Sequence, residues 1–208
     1  SERKKDWRHG AFAALDFETT GLDFARDRIV SFGVVPIDAG VLDEARAVYD
    51  LVDPGPVAVS DVSFSIHGLG PADLRDASPA AAARDALRAA LAGRYVITWN
   101  GLVEASFLGI LYGTSARPWL RRSIDVRRFV LALLGAEAAT LTLSQAAGRF
   151  GVPVRAPHHA LDDALVTAAL FLATARELSS GGLGSIRDAL RIGRTRRGGL
   201  RPLLQGSR

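Results

Sequence analysis

Cysteine and methionine are absent from this 208-residue chain, and aromatic residues make up only 7% of it. Without cysteine there are no disulfide bonds and no zinc sites with thiolate ligands. Long apolar runs are also lacking, since the most apolar predicted helix, residues 164–175, is far shorter than the roughly 20 residues that cross a bilayer. The charged N-terminal residues are not followed by the apolar core of a secretory signal. We therefore expect a cytoplasmic protein without a membrane partner.

The composition is that of an ordinary globular domain, with 48% hydrophobic and 23% charged residues, and the length allows one sizeable core. Residues 181–208 carry seven arginines and one acid, which leaves 19 basic and 21 acidic residues in the rest of the chain. We expect an N-terminal extension over residues 1–10, one main domain over 11–178 and a basic Gly/Arg-rich tail over 179–208. The tail would bind nucleic-acid phosphates, dock on an acidic partner, or be a solvated terminus.

The periodicity of apolar residues predicts an α/β domain. The predicted elements are strands near residues 11–17, 28–37, 45–52 and 94–99, a helix over about 78–92, and mainly helices thereafter. The first three strands follow one another through short turns, as in an antiparallel meander. Near the C-terminal end, Ile186, Leu190 and Ile192 are spaced as in a short helix packed on the domain.

Two carboxylates stand at the end of the first predicted strand, where Asp16 and Glu18 follow the apolar residues 11–15. Side chains two positions apart project from one face of a strand, so both can bind one cation or a pair of cations. Phe17 is expected to point the other way, into the core. Acid pairs of this kind also arise by chance at solvated strand ends. The apolar flank and the following Thr-Thr-Gly favour a metal site instead.

A second polar group, His158 to Asp163, opens a segment with apolar residues at helical spacing. Acids in the first turn of a helix satisfy free amides, and we interpret Asp162 in this structural way. Asp163 is different when taken with the first pair, because metal-dependent phosphodiester hydrolysis needs hard oxygen ligands from separate parts of the chain. A neutral histidine can take a proton from an attacking water. Between the two groups stands Glu104, which on its own would be an ordinary exposed helix residue.

Taken in order, these segments resemble the DEDD superfamily of 3′-5′ exonucleases, specifically the histidine subtype that includes the proofreading subunit of bacterial replicative polymerase. The resemblance covers most of residues 11–175. The family's Asp-x-Glu-Thr-Thr-Gly motif matches Asp16 to Gly21. Its His-x-Ala-x-x-Asp motif matches His158 to Asp163 and selects His158 over His159. The resemblance implies an α/β fold of the ribonuclease H-like type, a mixed sheet flanked by helices.

The resemblance also implies the cofactor and the site residues. Two divalent cations, Mg²⁺ or Mn²⁺, would lie roughly 3.5–4 Å apart among four carboxylates. In this hypothesis Asp16 bridges both ions, Glu18 and Asp163 support one, and Glu104 reaches the other through water. His158 would deprotonate the nucleophilic water. The residues expected to contact the substrate are Thr19, Thr20, Gly21, Leu22, Ile66, His67, Asn100 and Phe107.

Glu104 departs from the family pattern, which has Asp at this position of an Asn-x-x-Phe-Asp sequence. Displacement by about 1 Å in a catalytic site can cost roughly a hundredfold in rate. The longer side chain would therefore weaken the second metal site, or a shifted helix would absorb it. Ile66 and His67 belong to an Ile-His-Gly sequence that the family carries in a loop beside the terminal nucleotide. Trp99, where His is common, is expected to pack beneath the site.

Three functions are compatible with these residues. The leading one is a metal-dependent exonuclease acting on DNA 3′ ends that are single-stranded or frayed, because a narrow site must hold an unstacked terminal nucleotide. The second is an RNA-processing exoribonuclease with the same chemistry. The third is a nucleic-acid-binding module in which Glu104 has weakened catalysis. A polymerase or another protein is a candidate partner.

Overall fold

A mixed β-sheet forms the centre of the protein in a computed structural model that describes residues 4–194. Its strands are β1 (Phe12–Thr19), β2 (Ile29–Asp38), β3 (Val41–Leu42), β4 (Val48–Leu51), β5 (Tyr95–Thr98) and β6 (Ser123–Asp125). The order across the sheet is β3, β2, β1, β5, β6, and β4 also pairs with β2. β1 runs antiparallel to β2 and parallel to β5, and β5 runs parallel to β6.

Helices flank this sheet on both faces, which confirms the predicted α/β class. They are α1 (Asp61–His67), α2 (Ala80–Leu91), α3 (Gly101–Tyr112), α4 (Arg117–Leu120), α5 (Val126–Leu134), α6 (Leu143–Arg149), α7 (Ala160–Ser180) and α8 (Ile186–Ile192). Short 3-10 turns lie at Trp7–His9, Glu44–Arg46 and Ala136–Thr140. Within residues 4–194, none of the helices has the length and apolar character needed to cross a membrane.

β1 separates two apolar layers because its side chains alternate between the faces of the sheet. Phe12 and Ala14 belong to the layer that contains the buried side chains of α5 and α7. Leu15 and Phe17 belong to the other layer, with those of α2 and α3. The even-numbered residues of β1, which include Asp16 and Glu18 as well as Phe12 and Ala14, therefore face α7. This places the acidic end of β1 beneath the helix that carries the second motif.

Most predicted elements are confirmed. The strands expected over 11–17, 28–37 and 94–99 are β1, β2 and β5, and the helix expected over 78–92 is α2. The strand expected over 45–52 is shorter, because its first residues belong to the 3-10 turn Glu44–Arg46 and β4 begins at Val48. The sequence also carries the short strand β6, which ends at Asp125 and was not among these predicted strands.

The prediction that Ile66 and His67 lie in a loop is wrong, because these two residues are the last two of the helix α1. Ser60 caps its first turn with a side-chain hydrogen bond, and Gly68 ends it in the left-handed region at φ 73°. Apolar periodicity gave no sign of this helix. Its exposed apolar side chains alternate as in a strand: Val62, Phe64 and Ile66.

The two ends of the described chain pack against each other. Trp7 is buried, and its indole Nε1 donates a hydrogen bond to Ser179 Oγ at 2.8 Å. The backbone N–H of Trp7 donates to the carbonyl of Gly184 at 2.9 Å, and that of Ile186 donates to the carbonyl of Lys5 at 3.0 Å. Trp7 and Ile186 share one core cluster. The end of α7, the start of α8 and the N-terminal segment are thus joined.

The packed unit consequently extends beyond residues 11–178 on both sides. The expected short helix near the C-terminal end is confirmed as α8, with Ile186 and Ala189 buried. The last four arginines of the basic tail, at positions 196, 197, 201 and 208, lie outside the described residues.

Candidate active site

Three carboxylates meet on the α7 face of the sheet. Asp16 and Glu18 come from β1, and Asp163 comes from the first turn of α7. Each offers one oxygen atom, and these oxygen atoms all lie within 4.8 Å of one another. The strand contributes two acids to one face because they are two residues apart, as the sequence predicted. The arrangement is compact enough for the three groups to bind a common cation.

Gly33 allows α7 to approach the sheet this closely. It lies in β2 directly opposite Asp16 in the strand register. A Cβ atom at Gly33 would lie 2.4 Å from the carbonyl oxygen of Ala160 and 2.5 Å from the Cα of Leu161. The first turn of α7 therefore rests on the backbone of β2, with no room for a side chain between them. The position of Asp163 relative to Asp16 depends on this contact.

Glu104 is buried in α3 and only 5% exposed, so it is not the ordinary exposed helix residue that its local sequence suggests. Its Oε2 atom has no hydrogen-bond partner among the described residues. Glu104 is not one of the three carboxylates that meet within 4.8 Å, but it lies close enough to raise the pKa of Asp16. The longer side chain thus lies within electrostatic reach of the acidic cluster. Trp99 packs against the neighbouring core, as expected.

Burial and mutual repulsion raise the pKa values of the acidic groups. Burial raises the pKa of Asp16 well above its usual range, and the charges of Glu104, Glu18 and Asp163 raise it further. Burial, assisted by the charge of Asp163, raises the pKa of Glu18 to about 7. Burial also raises the pKa of Asp163, and it raises that of Asp125 to about 6. Like charges held together out of water are stabilised by a bound cation.

The metal-free protein is expected to lose stability as the pH rises from about 4 to about 7. Unfolded Asp and Glu titrate near pH 4, whereas Glu18 and Asp125 have folded pKa values of about 7 and about 6. Within this window the folded state holds protons that the unfolded state has released. The free energy of unfolding therefore falls with pH across this window.

Urea unfolding in EDTA at a series of pH values measures this dependence. In Glu18→Gln the decline between about pH 5 and 7 should be shallower, because one of the titrating groups is gone. Saturating Mg²⁺ should reduce or reverse the decline in the unaltered protein. A free energy of unfolding that rises across this window in EDTA contradicts the assignment of buried, neutral acids.

Asp125 is a buried acid that the motifs did not include among the site residues. Its carboxylate accepts a hydrogen bond from the N–H of Arg127 at 3.1 Å and another from the backbone N–H of Gly101. Gly101 is the first residue of α3, so Asp125 ties the start of the helix that carries Glu104 to the end of β6. The available signal was its place at a strand end, after Ser123 and Ile124.

The two adjacent histidines occupy different environments. His158 is exposed and has φ 63°, an uncommon conformation for a residue with a side chain. Its backbone N–H donates to Asp163 Oδ2 at 2.9 Å. His159 is stacked on Tyr49, with ring centroids 4.6 Å apart, and its Nδ1 lies 3.5 Å from Asp162 Oδ2. His158 is therefore the histidine whose ring is open to solvent beside the acidic cluster.

A cavity of about 670 Å³, here named the α1 cleft, lies between the end of β1, residues 57–60 and α1. Its volume is within the range of about 300–1,000 Å³ that is usual for small-molecule sites. Glu18 lines it, so the cleft adjoins the acidic cluster. Five of the residues predicted to contact substrate also line it: Thr19, Gly21, Leu22, Ile66 and His67.

His67 uses both ring nitrogens within the protein. Nδ1 accepts the N–H of Leu69 at 3.0 Å, and Nε2 lies 3.1 Å from the carbonyl oxygen of Thr19. An accepting Nδ1 requires the proton on Nε2, so the ring donates to Thr19. Burial lowers the pKa of His67, which favours this neutral form. His67 thereby fixes the end of β1 at the wall of the cleft.

The other three predicted contact residues lie outside the wall of the cleft. Thr20 is fully buried, and its hydroxyl donates to Asp27 Oδ1 at 2.8 Å. Asn100 is half-buried at the N-cap of α3. Phe107 is 1% exposed and packs edge-on against Phe24, with ring centroids 5.5 Å apart. Phe107 is thus a buried residue of the core that does not line the α1 cleft.

One sequence family matches most of the chain. The RNase T family, described as exonuclease, matches residues 13–171, a range that includes the acidic cluster and His158. The chain belongs to the RNase T exonuclease family. This exonuclease is thus a member of the DEDD superfamily of 3′-5′ exonucleases, as the resemblance of its motifs implied.

Two curated relatives of this exonuclease are much longer proteins. DNA polymerase III PolC-type from Thermotoga petrophila is 29% identical over 168 residues, which is 80% of this chain and 12% of the relative. The protein of the same name from Thermotoga maritima is 29% identical over 163 residues, 77% of this chain and 12% of the relative. The chain thus spans about an eighth of the length of these curated relatives.

Solved structures share the fold of this exonuclease. The nuclease domain of 3′hExo, a DEDDh family member bound to rAMP, has a TM-score of 0.69 at 18% identity, covering 85% of this chain and 96% of that one. Exonuclease I of E. coli in complex with a dT13 oligonucleotide has a TM-score of 0.69 at 15% identity, covering 83% and 43%. The expected ribonuclease H-like α/β fold is confirmed.

Proposed function

We propose that this chain is a metal-dependent 3′-5′ exonuclease that removes nucleotides from single-stranded or frayed DNA ends. The observation that carries the proposal is the meeting of Asp16, Glu18 and Asp163, with oxygen atoms within 4.8 Å, beside a cleft of about 670 Å³. The family relationship supplies the reaction class. The preference for DNA is supported by the relatives, which are named DNA polymerase III PolC-type.

The donor set suits hard divalent cations. All of its ligand atoms are carboxylate oxygens, which Mg²⁺ and Mn²⁺ prefer. Burial raises the pKa values of Asp16 and Glu18, and Oε2 of Glu104 has no hydrogen-bond partner within residues 4–194, so a bound cation would stabilise these oxygens in their charged form. We assign one cation to Asp16, Glu18 and Asp163, and a second to Asp16 and Glu104. When bound, the cations would acidify a water and stabilise the charge that develops on the scissile phosphate.

His158 is positioned to take the proton of the attacking water. Its ring is exposed, and the hydrogen bond from its backbone to Asp163 holds it next to the acidic cluster. In the reaction the water oxygen bonds to phosphorus and the bond from phosphorus to the 3′ oxygen of the preceding nucleotide breaks. The departing 3′ oxygen ends as a hydroxyl, and a mononucleotide leaves. A neutral imidazole nitrogen can accept this proton and pass it on to solvent.

The α1 cleft is the proposed site for the terminal nucleotide. Leu22 and Ile66 line it and are 56% and 49% exposed, so they present apolar surface to a base or sugar. Thr19 stands next to the acidic cluster and is held by His67. A cleft of this size accommodates one unstacked nucleotide more readily than a paired end. Single-stranded and frayed ends are therefore the proposed substrates.

The deciding experiment incubates the protein with 5′-labelled single-stranded DNA, RNA of the same sequence and blunt duplex DNA, each with Mg²⁺, Mn²⁺ or EDTA. The proposal requires stepwise shortening of the DNA from its 3′ end in either metal ion and none in EDTA. Equal rates on blunt duplex and single strand contradict the role of the α1 cleft. Release of nucleotides in EDTA contradicts metal dependence.

RNA ends are the second candidate substrate. The observation in favour is that a structural neighbour, the nuclease domain of 3′hExo, was solved with rAMP. Another neighbour, exonuclease I, was solved with a DNA oligonucleotide, so the fold serves both sugars. Faster shortening of the RNA than of the matched DNA would make RNA the preferred substrate and DNA the second, with the same hydrolysis reaction.

Glu104→Asp is expected to slow hydrolysis by about 10- to 100-fold and to raise the metal concentration needed for half-maximal rate. The helix α3 places the carboxylate of a glutamate at the cluster, and removal of one methylene withdraws it by about 1 Å. Hydrolysis rates over a Mn²⁺ titration measure both effects. Glu177→Asp, at an exposed position of α7, is the matched control. A faster Glu104→Asp enzyme would favour the alternative of a catalytically weakened binding module.

A further inference from the structure

A second cavity, of about 410 Å³, lies at the sheet edge formed by β6. We name it the β6 pocket. Ser123, at the start of β6, and the side chains of α8 are part of its lining. No acidic side chain contributes to the lining within the described residues. Six basic side chains line it, from the N-terminal segment, the loop before β6, α5, α8 and the residues after it: Lys4, Arg121, Arg128, Arg187, Arg191 and Arg194.

Most of this positive charge is not balanced by ion pairs in the part of the chain that the structure describes. Arg191 meets Asp188, with Nη2 and Oδ1 3.2 Å apart. Arg128 is half-buried and lies near Asp125, where its charge opposes the burial that raises the pKa of that acid. The ion pairs formed within residues 4–194 do not include the other four side chains. Those four are exposed. Such a concentration of cations in a concave surface attracts anions.

We propose that the β6 pocket binds the phosphates of a nucleic-acid strand, at a distance from the acidic cluster. The number of cations favours a polymer over a single anion, because six basic side chains offer more hydrogen-bond donors than the oxygens of one phosphate accept. The sequence continues this character, since residues 195–208 add four arginines and no acid. Each phosphate that a cation neutralises releases condensed counterions. A nucleic-acid strand therefore binds more tightly with every further phosphate contact.

β6 connects the pocket to the start of α3, the helix that carries Glu104. Ser123 lines the pocket, and Asp125, two residues later, accepts the N–H of Gly101 at the start of α3. Two residues of a strand extend only about 7 Å. A strand that enters the active site by its 3′ end has further phosphates available for a second contact. The β6 pocket therefore holds the substrate strand, an identification that rests on the proposed function.

The binding test uses the full chain in EDTA, a labelled single strand of about 20 nucleotides, and fluorescence anisotropy at several salt concentrations. In the double variant Arg187→Gln with Arg194→Gln, two contacts are lost. The slope of log affinity against log salt should fall by about 1.4, because each contact to a single strand contributes about 0.7. By the same relation the affinity at about 0.1 M salt should fall roughly 25-fold.

Two further double variants make the binding test specific. Lys4→Gln with Arg121→Gln removes charges outside α8 and should weaken binding similarly, so the test remains valid if altered α8 fails to pack. Arg149→Gln with Arg176→Gln removes the same charge from exposed positions that do not line the pocket and should change the affinity less than about twofold. Unchanged affinity and slope in both pocket variants overturn the proposal.

Two additional substrates identify the source of the phosphates and separate this proposal from the proposed function. The p-nitrophenyl ester of thymidine 5′-monophosphate reaches the acidic cluster but is too short for the pocket. With Mn²⁺, the pocket variants should hydrolyse it as the unaltered protein does, while KM for the 20-nucleotide strand rises. If the unaltered protein hydrolyses neither substrate, the proposed function fails and the binding data still decide the pocket. The pocket variants are also compared for binding of inorganic tripolyphosphate and of the 20-nucleotide strand. If they no longer bind tripolyphosphate but bind the strand with unchanged affinity, the pocket is a site for free polyphosphate, and the proposal is overturned.

Discussion

Asp16→Asn is expected to reduce hydrolysis at least about a hundredfold while the metal-free protein becomes more stable at neutral pH. Asparagine keeps the shape of the side chain but removes the charge that a cation requires, and the loss of outer partners alone costs metal sites 10- to 100-fold. Burial and three neighbouring carboxylates raise the pKa of Asp16 well above its usual range, so its charge opposes folding when no metal is bound. Asp16→Asn therefore abolishes metal-dependent activity and also relieves the electrostatic repulsion between Asp16 and its neighbouring carboxylates.

Two measurements on one preparation test this expectation, the rate of 3′ shortening with Mg²⁺ and urea unfolding in EDTA at about pH 7.5. Asp85→Asn removes an exposed acid from α2 and should leave both quantities unchanged. Turnover of Asp16→Asn near that of the unaltered protein would exclude Asp16 from the metal site. A large loss of stability would show that the carboxylate has a structural partner, and the burial argument would then be wrong.

Gly33→Ala is expected to reduce hydrolysis roughly a hundredfold and to lower the free energy of unfolding by about 1–3 kcal/mol. An added Cβ would lie 2.4 Å from the carbonyl oxygen of Ala160, closer than two atoms can approach. That neighbour is backbone rather than the end of a flexible side chain, so α7 or β2 must shift. Either shift moves Asp163 away from Asp16 and Glu18 without altering a carboxylate.

Metal affinity distinguishes displacement of α7 from general unfolding. Calorimetric titration with Mn²⁺ at a temperature where Gly33→Ala remains folded should give weaker binding than in the unaltered protein. Gly148→Ala is the matched control, because nothing beyond its chain neighbours and its own helix backbone lies within 4 Å of an added Cβ, and alanine favours the helix α6. Full activity and unchanged metal affinity in Gly33→Ala would show that α7 can pack against β2 without displacing Asp163, and the prediction would be wrong.

The sequence predicted those parts of the candidate site that depend only on the spacing of neighbouring residues. The spacing of Asp16 and Glu18 on a strand places both on one face by geometry alone, and the motif at the start of α7 supplied Asp163 and His158. The burial of Glu104 was not predictable in this way, because it depends on how α3 lies against the sheet. The same is true of Asp125, whose hydrogen bonds join the end of β6 to the start of α3.

Other features arise only from contacts between distant segments. Gly33 has an ordinary place in an apolar strand, and its importance comes from the turn of α7 that crosses it. The helix α1 was missed because its apolar residues alternate and face solvent, so burial does not impose a helical period on them. The β6 pocket combines residues 4, 121, 128 and 187–194, which no sequence window contains together.

The pairing of Trp7 with Ser179 has a consequence for the order in which the protein is made. The two residues are 172 positions apart, which at 5–20 residues per second separates their synthesis by roughly 10 to 35 seconds. Until α8 emerges, Trp7 has neither Ser179 nor Ile186 to contact, and one side of the core stays open. The proposed metal ligands and His158 are all synthesised by residue 163, but the layer that supports them closes later. A nascent chain therefore carries all of the proposed catalytic groups before its core is closed, and activity should arise late in its synthesis.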